Sequence, residues 1–397
     1  MASSIDAPAM RRMNRATVFR TIYDNEPISR VQIARRLDMN KATVSYLVDE
    51  LLQEKFVVEI GYGQSLGGRK PMMLRANAHA GFSIGVDVQI THVTTAVFDL
   101  KNEVVWLQRQ PLYKQGEQPT PQNLTDRLEQ EIRTAMQNVP DSPHGVLGVG
   151  VALPGMVNAR TGYVYYLPNL EIQEWPIQSD LAKRIQFPIF IDNDANCGAL
   201  AEHHRLVIDN LVFINAGIGV GGGIITDGHL YRGAGGIAGE FGHTTISAMG
   251  LRCTCGSYGC WEEYSSERAL LRFLQDKEEG FTLAIPHPDF VATCVDRAQA
   301  GHPVYRQAFR ELGRYLGIGM SNIVNAVNPQ QIVLGGSISQ AFVFIREEMQ
   351  DMLANRPVAN NKHTPVTLAP PESVVRGAAS MVTAELLFGE GGPALEV

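Results

Sequence analysis

Four residues within an 18-residue span constrain this 397-residue chain more than any other feature. His243, Cys253, Cys255 and Cys260 follow the spacing H-x9-C-x-C-x4-C. Any fold of this segment must decide what three thiols and an imidazole do at such close quarters. A closed tetrahedral Zn²⁺ site, one ion per chain, satisfies all four at once. The other readings are a chance cluster of free thiols, or one disulfide with a spare thiol. The chain has only five cysteines, three of them here. A reduced cytosolic chain with this spacing more often binds metal. Glu240 and Glu262 flank the cluster, so a metal here would act as a scaffold holding acidic groups in place, not as a reactive centre.

Composition narrows the class. Hydrophobic residues make up 45% and charged residues 19%, enough for two or three globular cores. No apolar run approaches a membrane span, and the N-terminal stretch lacks the apolar core of a signal peptide. A cytoplasmic location with no membrane partner is expected. Charge is unevenly placed. Residues 1–78 carry 12 Lys and Arg against 8 Asp and Glu, a net +4; the remainder carries 22 against 33, a net −11. A basic head on an acidic body fits a nucleic-acid-binding module joined to a different domain.

The head has its own grammar. Ser29 with Gln32 forms a capping box that opens a helix, and Ile33, Ala34 and Leu37 give it an apolar face. Asp38 to Asn40 makes a short turn, with Asn40 placed to cap the next helix. There Val44, Leu47, Val48 and Leu51 recur at i, i+3, i+4, i+7. The polar start of that helix offers Lys41, Thr43, Ser45 and Tyr46. An earlier helix over roughly residues 10–24 completes a helix-turn-helix. Strands at Phe56–Ile60 and Pro71–Arg75 flank the tip GYGQSLGGRK, which places Arg69 and Lys70 on a wing. The expected partner is operator DNA, with the helix in the major groove and Arg69 at the minor groove.

The body begins near Gly81 with a strand-turn-strand pattern. Val151–Val157 reads as a strand ending in a Pro-Gly turn, so the backbone at Gly155 can face a ligand. Ile191–Glu202 reads as a strand running into a helix. A glycine-rich stretch, residues 216–236, by itself says only that the chain turns tightly or approaches something closely.

The segment GEFGHTTISAMGLRCTCGSYGCWEE, residues 239–263, resembles the ROK family of bacterial sugar kinases and sugar-responsive repressors. The likeness extends over nearly the whole chain, and the head and wing resemble those of xylose-type repressors of that family. It implies a winged helix-turn-helix (mostly α) followed by a two-lobed α/β actin-like ATPase body. The expected divisions are a head at 1–78, lobe I at 79–196 with a C-terminal helix at 374–397, and lobe II with the zinc site at 197–373. It also implies a sugar site: Asn193 and Asp194 match the family pair that binds sugar hydroxyls, and Glu240, His243 and Glu262 match the other contacts. His243 would then serve twice, one ring nitrogen on zinc and the other toward sugar. Asn169 matches a family position near the sugar only loosely, and Trp175 reads as loop packing.

Two phosphate loops depart from the kinase pattern. Kinases of the family carry D-x-G-x-T where this chain has Asp87-Val88-Gln89-Ile90-Thr91, and Ile218 replaces the usual threonine of the glycine-rich loop. A non-enzymatic repressor is therefore expected, with catalytic residues none, xylose as the preferred monosaccharide effector and glucose or another hexose next. The paired half-sites of an operator imply a homodimer or a dimer of dimers. The competing readings are an active sugar kinase with a DNA-binding head, and a repressor released by a protein partner.

Overall fold

The computed structural model describes residues 7–64, 70–113, 117, 119–278, 281, 283, 285–358 and 361–388. The head holds α1 (Ala7–Asn25), β1 (Ile28–Ser29), α2 (Arg30–Arg36), α3 (Lys41–Gln53), β2 (Val57–Tyr62) and β3 (Met72–Ala76). Local sequence explains each start. The Ser29 side chain accepts from the Gln32 amide while the Gln32 side chain accepts from Ser29, the expected reciprocal cap. Asn40 caps α3 by accepting from the Ala42 amide at 2.8 Å. Val44, Leu47, Val48 and Leu51 are all buried, as their spacing requires. The three strands pair in the order β1-β3-β2 and form the wing. Residues 65–69, the wing tip with Arg69, lie outside the described residues.

Two five-stranded sheets follow, and they share one plan. The first holds β4 (Phe82–Val88), β5 (His92–Asp99), β6 (Val104–Pro111), β7 (Val146–Leu153) and β11 (Ile189–Asn193). Its order is β11-β7-β4-β5-β6, with β4, β5 and β6 antiparallel and β7 and β11 parallel to β4. Between β6 and β7 lies α4 (Pro121–Met136). Between β7 and β11 lie a small three-stranded sheet, β8 (Met156–Asn158), β9 (Tyr163–Leu167) and β10 (Ile172–Trp175), and α5 (Ile177–Ala182). Trp175, read as loop packing, ends β10 and is fully buried in this lobe's core.

Helix α6 (Asp194–Leu206) leads to the second sheet: β12 (Leu211–Ala216), β13 (Val220–Thr226), β14 (His229–Leu230), β15 (Gln331–Gly335) and β16 (Val366–Leu368). Its order, β14-β13-β12-β15-β16, repeats the first. Helices α7 (Glu262–Ser265), α8 (Glu267–Gln275), α9 (Phe290–Gln299), α10 (Pro303–Val327) and α11 (Phe342–Asn355) build the second core around Trp261, Phe309 and Leu316. The fold is thus a winged helix head on a duplicated, actin-like α/β body. The division expected at 196/197 falls inside α6, which packs on β12 and β13.

Helix α12 (Ser373–Thr383) returns to the first sheet. Gly85 and Gly150 sit side by side on β4 and β7. A side chain at either would strike the backbone carbonyls of Val375 or Ala378, so the two glycines let the sheet rest directly on α12. The helix continues as a π-helical turn, Ala384–Phe388, which docks on the head. Among the described residues no helix is long and apolar enough to cross a membrane.

Candidate functional site

A cleft of about 340 Å³ opens between the two sheets. Gly155, Asn193, Asp194, Glu240, His243 and Glu262 all line it, although 107 positions separate the first from the last. The topology explains the convergence. Strands β7 and β11 are parallel neighbours and deliver Gly155 and Asn193–Asp194 from their C-terminal ends. The loop after β14 and the start of α7 deliver Glu240, His243 and Glu262 from the facing lobe.

Asn193, not Asp194, caps α6. Its Oδ1 accepts from the Ala195 amide at 2.9 Å and its Nδ2 donates to the Gly155 carbonyl at 3.0 Å. The cap therefore also fixes the Pro-Gly turn. Asp194 is buried; its Oδ1 accepts from the Ala195 amide and its Oδ2 from Asn215 Nδ2, both at 2.8 Å. Burial pushes its carboxyl up to about 6, against the pull of these donors. Glu240 lies at the cleft mouth. Desolvation there raises its carboxyl above the ordinary range, opposed by His243 and reinforced by Glu262. Glu262 is buried, not a surface residue.

The phosphate-loop positions sit in the same cleft. Gln89 Nε2 donates to Asp87 Oδ1 at 2.7 Å, so the side chain folds back onto the carboxyl. Burial, helped by the neighbouring Asp194, pushes Asp87 up to about 7 against the pull of the Gln89 amide and Arg109. Ile218 also lines the cleft, beside Gly217 and Gly219. Asn169 lines it too and accepts a hydrogen bond from Arg268.

The metal-ligand set converges as its spacing predicts. One ligand atom from each of His243, Cys253, Cys255 and Cys260 lies within 4.8 Å of the others. Cys255 Sγ and Cys260 Sγ are 3.6 Å apart, and Cys253 Sγ is 3.7 Å from His243 Nδ1. A Zn–S distance near 2.3 Å puts tetrahedral sulfurs about 3.8 Å apart, and both separations match the edges of such a polyhedron. Burial and the neighbouring Glu262 push the Cys253 thiol up, which disfavours a bare thiolate and suits a compensating cation. The donor set fits a metal ion. His243 turns Nδ1 toward Cys253 and Nε2 toward Glu240, 3.9 Å from its Oε2.

On the head, Lys41, Thr43 and Tyr46 are exposed along the start of α3 and Ser45 is half-buried. Lys70 is exposed at the wing. Tyr46 is less free than its position suggests, because Arg11 of α1 donates to its hydroxyl at 2.7 Å and covers its ring.

Three cleft-side residues escaped the sequence reading. Asp192 is fully buried one residue before Asn193, Arg232 pairs with it, and Asn215 holds Asp194. Only Asp192 left a trace, an acid at the end of an otherwise apolar strand. The other two become visible through long-range packing alone.

Comparison with known proteins places this geometry. Residues 83–385 match the ROK family and residues 12–58 match the MarR family. The xylose repressor of Caldicellulosiruptor bescii is 35% identical over 390 residues, covering 95% of this chain and 97% of that protein. The crystal structure of a ROK family transcriptional regulator, a homologue of the Escherichia coli MLC protein, superposes with a TM-score of 0.81 at 25% identity. It covers 96% of this chain and 98% of that one. A ROK family glucokinase from Streptomyces griseus, solved with glucose and AMPPNP, superposes with a TM-score of 0.65 at 28% identity. It covers 76% of this chain and 99% of the kinase.

Proposed function

The chain belongs to the ROK family, and from that premise we propose that it is a sugar-responsive transcriptional repressor without kinase activity. The head binds operator DNA through Lys41, Thr43, Ser45, Tyr46, Arg69 and Lys70. A monosaccharide, xylose before glucose, binds the cleft and releases the DNA. Gly155, Asn193, Asp194, Glu240, His243 and Glu262 are its contacts. The end-to-end likeness to named xylose repressors, head included, supports the regulatory reading and the order of sugars.

The observation that carries the reading is the convergence of Asp194, Glu240, Glu262 and His243 on one cleft, in a chain that also carries a winged head. Carboxylates accept hydrogen bonds from ligand hydroxyls, and a ligand lacking those hydroxyls would leave buried acceptors unpaired. Gln89 and Ile218 supply the argument against catalysis. The Gln89 amide is committed to Asp87, and Ile218 offers no hydroxyl to a phosphate. His243, Cys253, Cys255 and Cys260 are the ligands of one Zn²⁺ per chain. When bound, that ion would tie residues 243–260 together and fix the tautomer of His243, leaving Nε2 directed at the cleft.

The test is operator binding with and without xylose and glucose, in the wild type and in Asp194→Ala. The wild type should release DNA with at least one sugar. Asp194→Ala should bind operator normally and ignore sugar, because this carboxyl touches the cleft and not the DNA. Wild-type operator affinity indifferent to every monosaccharide would sink the reading.

A further inference from the structure

We propose that Arg232 is a positioning residue for the sugar site: bound to Asp192, it holds the 233–239 loop as a flap over the cleft. This rests on the reading that the cleft takes a sugar.

Asp192 is 1% exposed at the end of β11, the edge strand of the first sheet. Arg232 follows β14, the edge strand of the second. The pair therefore spans the two lobes. Arg232 donates from Nη2 and Nε to Asp192 Oδ2 at 2.6 and 3.0 Å. The other oxygen, Oδ1, accepts from the Asn193 amide at 2.7 Å and from Asn196 Nδ2 at 2.9 Å. One buried carboxylate thus fixes the Asn193–Asn196 turn with one oxygen and Arg232 with the other.

Arg232 passes that constraint along its own loop. Its carbonyl accepts from the Ala238 amide at 3.0 Å, closing the loop on itself. Gly236, Ile237, Ala238, Gly239 and Glu240 then line the cleft. Gly239, at φ +96°, lies against the Gly222 carbonyl, where a side chain would not fit. Neither Asp192 nor Arg232 lines the cleft. Their effect on a sugar must run through Asn193 and Asp194 on one side and Glu240 on the other. Arginine suits this place because its planar fork reaches one carboxylate oxygen with two N–H groups, a geometry that lysine lacks.

The experiment measures sugar affinity calorimetrically for Arg232→Met, Arg232→Lys and Asp192→Asn, using the sugar that the wild type binds best. Arg205→Met is the comparator. Arg205 also pairs with a buried carboxylate, Glu202, but both belong to α6, so the pair does not join the two lobes. Arg232→Met should weaken sugar binding at least about tenfold, with Asp192→Asn similar and Arg232→Lys intermediate. Metal content and sugar-free operator affinity should stay within about twofold of wild type, and so should the sugar affinity of Arg205→Met. If Arg232→Met does not fold, Arg232→Lys and Asp192→Asn carry the test. Wild-type sugar affinity in the Arg232 and Asp192 variants would overturn the inference, as would an equal loss in Arg205→Met or a parallel loss of operator binding. A wild type that binds no sugar at all would instead overturn the functional reading beneath it.

Discussion

Phe388 stacks on Phe19, with ring centroids 5.8 Å apart and planes 23° from parallel. The contact joins the far end of the chain to the first helix of the head. Leu386 and Leu387 enter the same core, beside Val18, Ile22 and Phe56. At its other end, α12 places Ser373 and Val374 in the cleft lining. One helix and its continuation thus touch both the cleft and the head. Phe388→Ala should cost about 1–3 kcal/mol of stability. It should also shrink the effect of sugar on operator affinity while leaving sugar affinity itself intact. Paired calorimetry and operator titrations check this; an undiminished response would mean that coupling runs elsewhere.

Metal analysis of purified protein should find one zinc per chain. Cys255→Ser should lower that occupancy and the thermal midpoint together, because ligand convergence and local folding are coupled. Full stability in the metal-free protein would count against a structural zinc.

Incubation with ATP and each candidate sugar should yield no sugar phosphate above background. Turnover that disappears in Asp194→Asn would make the chain an enzyme, and Gln89 and Ile218 would then be tolerated departures.

Asp87 ties stability to pH. Its ordinary value is 3.8, and burial raises it to about 7 in the folded chain. Between those values the native state holds a proton that the unfolded state has released. The folded chain binds more protons there, so stability is greatest at the acidic end and falls as pH rises toward 7. The slope from this residue is at most about 1.4 kcal/mol per pH unit. Asp194 adds the same sign up to about 6. Asp87→Asn should flatten the dependence measured by chemical denaturation across pH 4–8; an unchanged slope would assign the effect to other groups.

In the head, Thr43→Ala should change preference among operator variants by about 1–3 kcal/mol at one base pair. Lys41→Ala should weaken all operators evenly and lower the salt slope by about one. Substitutions at Lys41, Thr43, Ser45 and Tyr46 that leave preference untouched would move the reading surface off α3.

Much of this architecture is written locally. The Ser29–Gln32 box, the Asn40 cap and the Val44–Leu51 stripe each act within one or two turns of helix. Composition and spacing alone therefore determine the helix-turn-helix. The cysteine spacing likewise determines that His243, Cys253, Cys255 and Cys260 meet, because a span of 18 residues leaves little room to separate them. The cleft is different. Asp192 and Arg232 lie 40 positions apart, one on an edge strand of the first sheet and the other just after an edge strand of the second, and Phe19 and Phe388 lie at opposite ends of the chain. Nothing local couples such pairs. Their meeting depends on how two sheets of the same plan pack against α6 and α12, with Gly85 and Gly150 clearing space for a helix backbone. Tertiary packing also decided that the Asn193 side chain reaches the Gly155 carbonyl, that Asn215 holds Asp194 and that Glu262 is buried. Hydrogen-bond partners of that kind are chosen by proximity in space, which one-dimensional periodicity does not encode.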